Sequence, residues 1–393
     1  MAIVAVTRAA AVAWAAADSA VAQVVVVDAA VAVDAVKFHN RRAVQLENDL
    51  VRVSATIEGG HLAEILHKPS ELNPLWIPPW PSIEPTTHDP AKHPEYGSGS
   101  EARLLSGILG HNICLDTFGG PSPEEASAGM PVHGEGPVIP YEVSTSNDQV
   151  TLAANLRLAQ LRFSRRIKLM PGSPVVLLSE TVENLSSSDR PLAWTQHVTL
   201  GPPFLQSGST QFRMPATRSK VGDAGFNDNL GPYMPDAEFA WPLCPRKDGG
   251  LEDFRTYTKR PVSGGFTTHL MDQAQEQAFF LAWSPASNVL FGYVWKRKDF
   301  PWMARWEEHY LRTEPPWNGK TMTCGMEFGV SPFVESRRKM VERGTLFGVP
   351  AYRWAPARSK TNVEYCAFVT TAHKIPETVK WDGSFGITFC PGL

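Results

Sequence analysis

From Ala43 onward, short apolar or alternating stretches recur between clusters of proline, glycine and asparagine. Strand side chains point to opposite faces with period two, so these stretches read as strands and the breakers as turns. Ala43–Ile57 alternates and ends at Gly59-Gly60, which reads as a hairpin turn. Val150–Leu169 and Val175–Asn184 read as long strands joined at Pro171-Gly172. Leu192–Leu200 and Thr321–Phe328 read as single strands, and Gln277–Trp295 as two strands with a turn near Ser284-Pro285. Tyr352–Trp354, Asn362–Thr371 and Phe385–Phe389 complete the pattern, and only Ser336–Glu342 reads as a short helix. The fold class expected is all-β, with long loops and few short helices. Residues 73–104 form an irregular loop rich in Pro, His and Trp, and a loop that long is usually functional or a lid. Residues 205–262 form a second polar stretch, expected to cover one end of the sheets.

The 33 prolines and 30 glycines fit that many turns. A chain of 393 residues suffices for one large β domain or two ordinary ones. Its net charge of −3 argues against nonspecific nucleic-acid binding. The densest basic clusters, Lys296-Arg297-Lys298 and Arg337-Arg338-Lys339, read as solvated faces. No P-loop, Rossmann glycine fingerprint, HExxH or solenoid-length repeat occurs. The cysteines (Cys114, Cys244, Cys324, Cys366, Cys390) show no zinc-type spacing and read as mostly free, buried thiols.

Residues 1–36 are almost entirely Ala and Val, and stand apart from residues 37–393, which read as a single domain. Ala9–Ala17 followed by Ala20-Val21-Ala22 resembles a secretory signal core and its cleavage site. Gln23–Val33 alternatively reads as an extra strand. Asp18 and Asp28 interrupt the apolar run, so no membrane-spanning helix is expected there. A signal would imply a secreted or periplasmic protein, and its absence a cytoplasmic one.

Three separated segments set His133 (beside Glu135), His197 and Glu327 among glycines, prolines and hydrophobics. They are Pro131-Val132-His133-Gly134-Glu135-Gly136, Trp194-Thr195-Gln196-His197-Val198 and Gly325-Met326-Glu327-Phe328-Gly329-Val330-Ser331-Pro332. Histidine titrates near neutrality and burial can raise a glutamate to meet it, so the trio suits proton transfer at oxygen. By strand alternation Glu327 faces away from Met326 and Phe328, and His197 shares a face with Thr195 and Thr199. Each segment alone has a plainer reading: a buried His satisfied by backbone groups, or a Glu in a salt bridge.

Taken in order, these residues resemble the aldose 1-epimerase (galactose mutarotase-like) superfamily. The likeness includes Gly59-Gly60-His61-Leu62-Ala63-Glu64-Ile65, Asn73-Pro74-Leu75-Trp76, His133-Gly134, His197 and Glu327, and spans roughly residues 44 to 370. It implies a large antiparallel β-supersandwich with a sugar on its concave face. It assigns Glu327 as the base at the anomeric hydroxyl, His197 as the acid at the ring oxygen and His133 as a binding residue. No cofactor is implied, because every step is a proton transfer. Many members carry an early Asn-Arg pair. Here Gly110-His111-Asn112-Ile113-Cys114-Leu115-Asp116 stands in its place, so His111 and Asp116 are expected to touch substrate.

Trp306 and Trp317 flank the Glu327 segment and read as sugar platforms, because sugars offer flat C–H faces to aromatic rings. Glu307 reads as a hydroxyl acceptor and Arg305 as a contact for an acidic sugar, or as a surface cation–π partner of the tryptophan. A metal site from His111, His133, His197 and Glu327 lacks supporting spacing, so no metal is expected. Three activities fit these residues. The first is anomer interconversion. The second is cleavage of a carbohydrate by Glu327 with Glu307 or Asp116, since hydrolysis normally uses two carboxylates. The third is noncatalytic carbohydrate binding. The expected partner is a carbohydrate, with the chain a monomer or homodimer.

Overall fold

The computed structural model describes residues 31–223 and 230–390. The signal reading, and most of Gln23–Val33, lie outside these residues. A strand does begin at Ala32 and runs to Phe38, across the compositional boundary at residue 36.

Among the described residues, two large antiparallel sheets carry the fold. The larger has 12 strands. Its centre places Leu62–His67, His111–Asp116, Arg190–Leu200, Met322–Gly329, Trp302–His309 and Ser263–Met271 side by side in that order. The smaller has 8 strands, among them Gln277–Ser284, Val289–Lys296, Lys360–Thr371, Val175–Asn184 and Leu161–Lys168. Apolar faces of both meet in one core, from Val44 and Val53 to Phe291, Phe328 and Val369. This is the all-β supersandwich expected, with helices no longer than Arg337–Arg343.

Several boundaries differ from the sequence reading, each for a local reason. Ala43–Ile57 is two strands, Arg41–Glu47 and Val51–Thr56. Asn48 turns the chain between them: its side-chain oxygen accepts the backbone N–H groups of Leu50 and Val51 at 2.8 and 2.7 Å. Val150–Leu169 likewise breaks at residues 157–160, with Gln160 at φ 52°. The stretch 205–262 is less irregular than its composition suggests, because Ala216–Val221 joins the large sheet beside Ser263–Met271. All five cysteines are free, and only Cys390 is exposed. No helix among the described residues is long and apolar enough to cross a membrane.

A buried polar cluster ties the sheets together behind the centre of the larger one. Arg165 donates to Glu180 at 2.7 Å and to Gln196 at 2.9 Å, with both charged groups almost fully buried. Glu180 also accepts from Trp194, Gln196 and Tyr365. Nearly every acceptor is thereby occupied, which is what makes a buried ion pair tolerable. Trp194 and Gln196 point inward, so period two turns Thr195, His197 and Thr199 to the opposite face.

Candidate active site

The face of the large sheet turned away from the small one is roofed by loops and carries its own apolar cluster. That cluster includes Trp76, Leu104, Val132, Ala193, Ala304, Trp306 and Trp317. Register sets what stands in the middle of this face. Gln196 pairs with Phe328 and Thr199 with Gly325, an alignment that brings His197 opposite Glu327. Asn112 lies opposite His197 on the other side, and Ala304 opposite Glu327. Met326 and Phe328 pack into the core between the sheets, so Glu327 must face the roofed side.

The glycines around Glu327 make room for it. A Cβ at Gly325, two residues before it on the same face, would run into the Glu327 carboxylate. His197 Nε2 lies 3.3 Å from Glu327 Oε1, while its Nδ1 meets the Thr199 hydroxyl at 3.0 Å. Glu327 Oε1 has no hydrogen-bond partner among the described residues, because the approach of His197 falls short of hydrogen-bond alignment. His133 reaches the same place from a loop, with its ring 5.3 Å from that of His197. Its backbone is left-handed at φ 64°, and Gly134 follows at φ 80°. A Cβ at Gly134 would overlap the Leu115 carbonyl, so the His-Gly pair lets this loop press onto the strand His111–Asp116.

These three side chains line one cavity of about 250 Å³, together with Trp306, Trp317, Arg312, Glu101 and a roof of Leu104, Leu105 and Ile108. Most of that wall is apolar. Burial therefore dominates the electrostatics. It raises the Glu327 carboxyl well above its ordinary value. It lowers His197 to about 4. It lowers His133 to about 3, helped by the neighbouring His197 and opposed by a hydrogen bond with the Phe118 backbone. Burial thus favours the uncharged form of all three groups.

Both tryptophans are part of this wall. Trp306 lies 6.1 Å from the His197 ring, and Trp317 stacks parallel to Trp76 at 6.2 Å. The Arg312 guanidinium sits 4.7 Å above Trp317 and reaches Glu101 at 3.4 Å.

Four other residues expected at the site are placed elsewhere. His111 faces the space between the sheets, where it meets Tyr293 and Gln196, each at 2.9 Å. It cannot join His133, His197 and Glu327 around one metal ion. Asp116 is saturated by Arg190 and Arg337, an ion-pair knot at the end of its strand. Arg305 and Glu307 pair with each other at 2.6 Å on the face opposite Trp306. Glu307 also accepts from Tyr233 and Ser263, and Arg305 lies over Phe254 at 4.2 Å rather than beside a tryptophan. Neither Glu307 nor Asp116 can therefore act as a second carboxylate for hydrolysis. Arg312, Glu101 and the leucine roof were not anticipated; the roof lies at the end of the long loop read as a lid.

No sequence-family model matches this chain, and no curated protein does. Structure carries the likeness instead. A candidate aldose 1-epimerase from Klebsiella pneumoniae superposes on 85% of this chain and 80% of its own, with a TM-score of 0.61 at 14% identity. A galactose mutarotase-like protein from Clostridium acetobutylicum covers 87% of this chain and 99% of its own, with a TM-score of 0.58 at 10% identity. Another from Lactobacillus casei reaches 0.54 at 14% identity, over 84% of this chain and 100% of its own. Identities this low speak for architecture alone: the chain is a divergent bearer of the aldose 1-epimerase, or galactose mutarotase-like, fold.

Proposed function

We propose that this protein interconverts the anomers of a reducing sugar, with Glu327 and His197 as the acid–base pair. The observation that carries this reading is the 3.3 Å approach of His197 Nε2 to Glu327 Oε1, inside a cavity walled by tryptophan. A cavity of about 250 Å³ falls below the ~300–1,000 Å³ usual for drug-sized ligands, which suits a single sugar ring. Trp306 and Trp317 give the cavity wall aromatic surface against which the ring's C–H groups would pack. The unpartnered Glu327 Oε1 and His133 Nδ1 offer hydrogen bonds to hydroxyls.

The reaction needs one group to take a proton and one to give it. Glu327 as carboxylate removes the proton from the anomeric hydroxyl, and His197 as imidazolium gives one to the ring oxygen. The C1–ring-oxygen bond breaks and an open-chain aldehyde forms. Rotation about C1–C2 and the reverse transfers close the other anomer. The resting pair, carboxylic acid with neutral imidazole, contains the same number of protons as carboxylate with imidazolium. One proton moving from Glu327 to His197 converts the first into the second, so burial does not remove the catalytic proton count. The two groups titrate as a unit.

The pH dependence follows from that count. As pH falls through about 4, His197 gains a second proton for the pair and no base remains. As pH rises through the raised value of Glu327, the last proton leaves and no acid remains. Anomer interconversion followed by polarimetry is expected to be level across neutrality, with its acid limb near pH 4. An acid limb near pH 6.5, the value of a solvated histidine, would contradict a buried His197 in this role.

Cleavage remains a second reading only through Glu101, which lines the cavity. Release of a new reducing end from an oligosaccharide would favour it over anomer exchange.

A further inference from the structure

A second cavity, of about 550 Å³, adjoins the first. Gly120, Phe266 and Val334 border both. The two differ in chemistry. The first is enclosed by leucines and tryptophans. The second is lined by polar and charged side chains, among them Ser122, Lys220 on the strand Ala216–Val221, and Arg338, Lys339, Glu342 and Arg343 on the helix Arg337–Arg343, beside the apolar Phe266, Phe333 and Val334. Its charges are matched in place. Arg343 forks onto Glu335 at 2.9 Å, Lys220 reaches Asp236 at 3.4 Å, and Arg338 reaches Glu124 at 3.2 Å.

A balanced set of charges presents little net field, so it gives no advantage to an anion or a cation. It does present many donors and acceptors close together, and these suit a neutral ligand rich in hydroxyls. The first cavity has room for about one ring, so a longer saccharide must continue somewhere. The adjoining space is more than twice as large and polar.

The geometry points to a substrate that is an oligosaccharide: its reducing-end ring sits over Glu327 and His197, and its next glycosyl unit occupies the cavity beside Lys339 and Glu342. This rests on the reading of the first cavity as a sugar site. Mutarotation needs only the reducing-end C1 to be free, so the next unit is attached through another hydroxyl of that ring and no glycosidic bond changes.

The test compares glucose, galactose, mannose and xylose with the 1,4-linked disaccharides of each. Anomer exchange is followed by NMR and binding by calorimetry, for the wild type and for Lys339→Ala/Glu342→Ala. Both replaced side chains are exposed, lie on the helix Arg337–Arg343 and border only the second cavity. For at least one pair, the disaccharide is expected to show a kcat/KM at least tenfold above that of its reducing-end monosaccharide. The double variant should erase most of that advantage and leave the monosaccharide within twofold. Monosaccharides handled as well as every disaccharide, or a variant that slows both equally, would overturn the subsite. If disaccharides bind at least tenfold tighter but no sugar is interconverted, the subsite stands and the epimerase reading falls. If no sugar of either size binds or turns over, both fall.

Discussion

Glu327→Gln is expected to slow anomer interconversion by about 10²–10⁴, the usual contribution of one general acid–base group. Sugar affinity should change little. The amide keeps the shape of the carboxyl and the space that Gly325 leaves for it, but it cannot exchange a proton with the anomeric oxygen. Calorimetry beside polarimetry separates the two effects. A variant with wild-type rates would remove Glu327 from the chemistry. A variant that neither binds nor reacts would instead give the residue a binding role.

The second large effect concerns the polar cluster behind the site. Glu180→Ala leaves Arg165 buried without its counter-charge and strips a partner from Trp194, Gln196 and Tyr365. Breaking one side of such a pair typically costs about 3–5 kcal/mol. Urea unfolding is expected to show a loss of that size. A loss below about 1 kcal/mol, the range of exposed ion pairs, would mean that solvent reaches the cluster. Gln196 is the neighbour of His197 on the same strand, so activity should fall faster than the folded fraction.

The parts of the site visible in the sequence are those that strand alternation controls. Met326 and Phe328 identify the core face, and Glu327 must then lie on the other. Thr195 and Thr199 place His197 in the same way. Three of the four expectations that do not hold run against that rule; Asp116 lies on the site-facing side but is taken by its arginines. Arg305 and Glu307 are close in sequence to Trp306, yet alternation sends them to the opposite face, where they pair with each other. His111 fails for the same reason. Its neighbour Asn112, set opposite His197 in the register, takes the site-facing position. Its side-chain oxygen and nitrogen are buried with no hydrogen-bond partner among the described residues.

Other features depend on contacts distant in sequence. Arg312 meets Glu101 across more than two hundred residues, and Asp116 meets Arg337 across a similar interval. No local pattern announces either. The breaks at residues 48–50 and 157–160 are turn chemistry set in runs that otherwise keep strand composition. The Asn48 side chain, which accepts two backbone N–H groups, was the available signal at the first.

On the proposed reading, the cavity at Glu327 and His197 moves protons at the anomeric centre of a sugar. NMR magnetisation transfer between the α and β H1 resonances of reducing sugars measures this directly. With wild-type protein near neutral pH, the exchange rate of a sugar that binds is predicted to rise in proportion to protein concentration, and to fall close to the spontaneous rate with Glu327→Gln. Exchange that stays at the spontaneous rate for every sugar shown by calorimetry to bind would contradict the claim.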